Sequence, residues 1–140
     1  MKKDGKNNQG FHVIVLGIIF DPAKKKILIG KRENNSNKKG DEWRFPGGRI
    51  KPGEDIDKTL KTKIKEKTGY KIKNLGTFFS NTYPQSENLV AIYFLTQVFE
   101  GKEKPGRGLT ELRWVGPEEL KKYLAASIHK KLHEFLLDLK

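Results

Sequence analysis

The chain has no cysteine among its 140 residues, which excludes disulfides, a cysteine nucleophile and any thiolate metal site. The opening MKKDGKNNQG lacks an apolar core. Nothing there resembles a signal peptide, so the expected setting is the cytoplasm, with no membrane partner. Acids are scarce: 17 Asp and Glu stand against 29 Lys and Arg, for a formal charge of +12 and an isoelectric point near 9.8. Such a field concentrates anionic ligands, phosphates first among them. Arginine is scarce too, at positions 32, 44, 49, 107 and 113 only. Because the guanidinium fork is the better bidentate phosphate ligand, the charge reads first as a lysine-rich surface. RNA stays open as a ligand on the strength of the field alone, since no pattern of interleaved aromatics accompanies it.

What is present is one domain's worth of patterned chain. Residues 1–10 read as a mobile basic tail and 11–140 as a single α/β domain. FHVIVLGIIF (11–20) reads as a strand buried on both faces, closed by Asp21-Pro22, with KILIGKR (26–32) as the next strand. NNSNKKGD (34–41) is a polar loop expected to be more mobile than its flanks. In EWRFPGGRI, Trp43 and Phe45 share one strand face and Arg44 takes the other. Residues 72–83 and 88–100 read as further strands, and ELRWVGPEELKKYL as a strand running into a helix. A last helix carries Ile128, Leu132, Phe135, Leu136 and Leu139 on one face, with Ser127 as its expected cap. His129 and His133 are read as a solvated flank of that helix, with no third ligand to make them a metal site.

The most informative stretch is GGRIKPGEDIDKTLKTKIKEKTGY, residues 47–70. Asp55 suits an N-cap, Ile56, Leu60 and Ile64 form a stripe at i, i+4 and i+8, and Gly69 suits a left-handed C-cap. The stretch resembles the Nudix box, G-x5-E-x7-R-E-U-x-E-E-x-G-U with U aliphatic. Gly48, Glu54, Ile64, Glu66 and Gly69 match, whereas Thr62 and Lys63 replace Arg-Glu, Lys67 replaces the second glutamate of the Glu-Glu pair, and Tyr70 takes the last aliphatic place. Acids at i, i+3 and i+4 on such a helix would hold Mg2+ or Mn2+; here that spacing gives Lys63, Glu66 and Lys67. A lysine roughly 5 Å from a magnesium ion repels it by about 1.7 kcal/mol even in water. Metal affinity is expected to be weak or lost.

The resemblance covers the chain from about residue 11 to the last helix and implies a Nudix-type α/β/α sandwich with a mixed β-sheet. It also implies a ligand of the class nucleoside diphosphate linked to another moiety. ILIGKR and EWRFPGGRI are similar to the corresponding strings of GDP-mannose mannosyl hydrolases, which points to a nucleotide-sugar, with Arg32 and Arg49 on the diphosphate. That branch keeps a glutamate where Lys67 stands and a base histidine where this chain has Leu109, Thr110 and Glu111. Two readings follow. One is a slow hydrolase in which Glu66, a backbone carbonyl near Gly47 or Gly48, and Glu54 or Glu111 hold a single ion and carry catalysis. The other is a catalytically silent Nudix domain binding a phosphorylated ligand or RNA. In both, Lys63 and Lys67 are expected to bind phosphate, and a dimer is left open.

Overall fold

Apolar side chains fill both faces of the first strand because the sheet has helices on each side. The computed structural model describes residues 10–33, 42–82, 88–124 and 128–139. Among these, seven strands form one sheet: β1 (His12–Asp21), β2 (Lys26–Arg32), β3 (Trp43–Arg44), β4 (Gly47–Ile50), β5 (Tyr70–Thr82), β6 (Leu89–Gly101) and β7 (Leu109–Val115). The order is β3-β2-β1-β6-β5, with β4 on β1 and β7 on β2. β1 and β6 run parallel from His12↔Leu89 to Ile19↔Thr96, whereas the other pairings are antiparallel. The sheet is therefore mixed, as expected.

Helix α1 (Ile56–Thr68) covers one face. Its Leu60 and Ile64 join Val15, Ile19, Leu28, Ile72 and Phe94 in one core cluster. The opposite face carries a 3-10 turn (Pro117–Glu119), α2 (Leu120–Leu124) and α3 (Lys130–Leu137). There Leu120, Leu124, Leu132 and Leu136 close over Leu16, Ile18, Phe20, Ile27, Ile29 and Trp43. Successive strand residues alternate between these two clusters, so register decides which side chains reach the α1 side.

Several expectations need correction. Ile56 opens the apolar stripe of α1 yet is 43% exposed and joins neither core cluster. His133 is buried rather than solvated, and its Nε2–H donates to the Pro117 carbonyl at 2.9 Å, tying α3 to the 3-10 turn. A carbonyl can only accept, which sets the tautomer. His129 is the N-cap of α3, its Nδ1 accepting from the Lys131 amide at 3.0 Å, and its ring packs 5.2 Å from that of Phe79. Ser127, the 34–41 loop and residues 1–9 lie outside the described residues. No helix among the described residues is long and apolar enough to cross a membrane.

Candidate functional site

The loop-helix-loop around α1 is held by contacts its sequence spacing anticipates. The Asp55 carboxylate accepts from the Lys58 amide at 2.9 Å and caps the N-terminus. Glu54 accepts from the Lys51 amide at 2.8 Å, closing the turn through Gly53. At the other end Gly69 adopts φ 82°, and its amide donates to the Lys65 carbonyl. The 102–108 loop then crosses the end of the helix: Lys104 N–H donates to the Thr68 carbonyl and Gly106 N–H to the Lys67 carbonyl, both at 2.9 Å. A Cβ on Gly106 would sit 1.9 Å from the Glu66 carbonyl oxygen, so only glycine lets the two backbones meet. The Lys65, Lys67 and Thr68 carbonyls at the end of α1 are thus paired internally.

Helix and sheet approach through two glycines. A Cβ on Gly17 would lie 2.5 Å from Ile64 Cδ1, and one on Gly48 would lie 3.1 Å from Lys63 Cδ. The Lys63 stem therefore lies along the glycine turn. Lys67 goes further: its Nζ donates to the Gly47 carbonyl at 2.6 Å in a part-buried position. Register brings more positive charge to this face. Arg44 pairs with Gly30, and Gly30 and Arg32 share the strand face of Leu28, which belongs to the α1-side core. Burial, then Lys63 and Arg44, lower the pKa of the Lys67 ammonium below the usual lysine value; Glu66 opposes them and Arg32 adds to the depression. Glu66 lies 3.9 Å from Arg107 Nη1, on the loop that crosses the helix end. A cleft of 520 Å³ along the outer face of α1 is lined by Glu54, Thr62, Lys63 and Glu66, among others.

The NUDIX domain family model matches residues 10–136. The chain belongs to the Nudix family. It is 32% identical to an ADP-ribose pyrophosphatase of Methanocaldococcus jannaschii over 123 residues, 86% of this chain and 69% of that protein. Over 57 residues it is 40% identical to the mouse (Mus musculus) nucleoside diphosphate-linked moiety X motif 6, a match spanning 41% of this chain and 17% of that protein. A solved MutT structure, from work on the Aliivibrio salmonicida and Vibrio cholerae proteins, superposes with a TM-score of 0.69 at 23% identity, covering 90% of this chain and 95% of that one. That likeness concerns the fold.

Against the Nudix frame, the α1 face gathers Glu54, Glu66, Lys63, Lys67, Arg32 and the Gly48 turn. Two expected residues are elsewhere. Glu111 shares a strand face with Arg113 and Val115, the face of the other core. Its carboxylate pairs with Arg113, whose guanidinium stacks 4.9 Å from the Trp43 ring centroid and accompanies Tyr123. Arg49 pairs in register with Ile14, which packs against that same core, so it too leaves the sheet on the side away from α1. Glu111 as a catalytic acid and Arg49 as a partner of Arg32 do not come together with the helix face. Conversely, Arg44 and Arg107 join the site without having been singled out. Strand alternation already sets Arg44 opposite Trp43 and Phe45, but nothing local in GKEKPGRG marks Arg107.

Nudix hydrolases generally use divalent metals such as Mg2+ or Mn2+, and the residues of this face do not fit one. The Gly47 carbonyl, a candidate ligand, already accepts from an ammonium, and Glu54 is engaged by a backbone amide. Among the described residues no three His, Cys, Asp or Glu gather where they could hold a metal. Hard divalent cations take several oxygen ligands, mostly carboxylate and carbonyl. Two glutamates, one of them engaged by a backbone amide, among five cationic side chains are the wrong donor set.

Proposed function

We propose that this Nudix protein binds a nucleoside diphosphate linked to a second moiety along the α1 face and hydrolyses it slowly at most. The observation that supports this is the convergence of Arg32 and Arg44 from the sheet and Lys63 and Lys67 from α1 beside the Gly47-Gly48 turn, with Glu66 the remaining box acid of the helix. Cations so placed suit phosphate oxygens and repel a metal. The names of the M. jannaschii and mouse relatives both describe a nucleoside diphosphate joined to another group. The two strings similar to GDP-mannose mannosyl hydrolases favour a sugar as that group.

Slow turnover follows from the charges. Stabilisation of developing negative charge is usually the largest catalytic term, and removing one well-placed group costs about 10²–10³ in rate. Lysines at 63 and 67 remove two carboxylates that would hold the metal. The test is side-by-side assay with the M. jannaschii enzyme on ADP-ribose and GDP-mannose, with magnesium, alongside calorimetry of both ligands. Binding is expected, with turnover at least ~100-fold below the relative's. Turnover of about 1–10 per second on either substrate would show that other groups complete a working site.

A further inference from the structure

We propose that the Lys67 ammonium is the resident cation of this site, occupying the glycine-turn carbonyl in place of a divalent ion, so that a diphosphate binds here without metal. The inference rests on reading the α1 face as a diphosphate site. It adds how the charge is supplied and what the ligand does not require.

The geometry is direct. A 2.6 Å contact between Nζ and the Gly47 oxygen lies at the short end for a charge-assisted hydrogen bond. Lys67 and Gly47 are twenty residues apart and on different elements, so the contact fastens α1 to the glycine turn. An ammonium has three donors and this bond spends one. Two remain for ligand oxygens. A Cβ on Gly48 would lie 3.1–3.4 Å from the Lys63 stem, so that stem runs beside the same turn. Arg44 and Arg32 act on Lys67 through their charge, and Glu66 is the acid that offsets them. Cationic side chains therefore dominate the field at this ammonium. A divalent cation entering that field is repelled and finds its carbonyl taken, whereas a diphosphate is attracted and finds open donors.

Lysine also suits the role sterically. Its four-carbon stem spans from the helix to the turn, and Lys63 and Lys67 are one helical turn apart, so both reach the same anion. Glu66 sits between them in sequence and faces the cleft. Its carboxylate balances part of the charge without supplying a coordination shell.

Inorganic pyrophosphate is the probe, because every nucleoside diphosphate derivative contains that group. Calorimetry on the full chain in EDTA should show binding that excess magnesium leaves unchanged or weakens. Lys67→Met should lower the affinity at least tenfold, while Lys67→Arg should retain it within about threefold. Lys63→Glu with Lys67→Glu should abolish metal-free binding and gain Mn2+ binding, read by electron paramagnetic resonance. Thermal melts verify that each variant is folded. The wild-type chain provides a readout needing no variant: manganese alone should not bind it at tens of micromolar. Tenfold tighter pyrophosphate binding with magnesium, tight manganese binding by the wild type, undiminished binding by Lys67→Met, or no pyrophosphate binding at all would each overturn the proposal. Pyrophosphate binding without any binding of ADP-ribose or GDP-mannose would sustain it and refute only the proposed ligand class.

Discussion

Replacing Gly106 by alanine tests whether the crossing loop fixes the end of α1. The new Cβ would lie 1.9 Å from the Glu66 carbonyl oxygen and 3.1 Å from its carbon. Ordinary contact begins near 3.4 Å, so the two main chains must part by about 1.5 Å. The helix side does not yield cheaply, since both contacting atoms belong to its backbone. Separation also weakens the bonds from Gly106 to Lys67 and from Lys104 to Thr68, each worth about 0.5–1.5 kcal/mol. Overpacking strain adds about 1–3 kcal/mol, for a total of roughly 2–6 kcal/mol. In a 140-residue chain each kcal/mol moves Tm by roughly 3–4 °C, so Tm should fall by roughly 6–24 °C. Gly53→Ala is the control. Gly53 has φ 84° and open space around it, so alanine there meets only the left-handed backbone cost of about 1–2 kcal/mol. Hydrogen exchange at the amides of 104 and 106 should quicken in Gly106→Ala alone. If Gly106→Ala loses no more stability than Gly53→Ala, the loop does not press on the helix as described.

Two further outcomes are expected. His133→Leu keeps an apolar group of similar bulk but removes the donor to the Pro117 carbonyl, so chemical denaturation should show a loss of about 1–2 kcal/mol; an unchanged midpoint would mean the bond contributes nothing. Burial, then Glu103, raises the Tyr70 pKa to about 12 from its ordinary value of 10. The folded state therefore favours the neutral phenol, a contribution present below pH 10 and lost as pH rises from 10 through 12. Tyr70→Phe should flatten the decline in Tm over that window, and an identical decline in both proteins would count against the assignment.

The frame of the site was legible in the sequence because its parts are local. Gly69 ends α1 through a backbone conformation, Asp55 starts it through one side chain, and Leu60 and Ile64 face the sheet because helical period leaves them no other direction. What sequence could not give were contacts set by sheet order. Glu111 is suitably acidic, but β7 pairs with β2 in a register that gives it the face of Trp43 and Tyr123. Arg49 leaves on the side of Ile14 for the same reason. The depth of Lys67 was likewise hidden. Helical spacing puts it on the flank of the stripe, and only the packing of α1 against β4 brings the Gly47 carbonyl within its reach.

The site separates two things the Nudix pattern usually carries together. Its glycines and aliphatic residue are required by packing: Gly48 admits the Lys63 stem, Gly69 supplies a left-handed cap, and Ile64 presses on a glycine of β1. Even Glu54, an acid of the pattern, holds a turn by accepting a backbone amide. Such roles persist whatever the helix does with an ion. The positions at 63 and 67 belong to the other kind, since their Cβ atoms need only clear the turn and any long side chain satisfies that condition. Lysine at both is therefore compatible with the fold, whereas a cation at Glu54 would lose the acceptor for the Lys51 amide and a side chain at Gly48 would meet Lys63. Changes that invert the charge of the helix face are thus the ones the architecture tolerates, and on the proposed function they would turn a Nudix frame from holding a metal toward holding an anion.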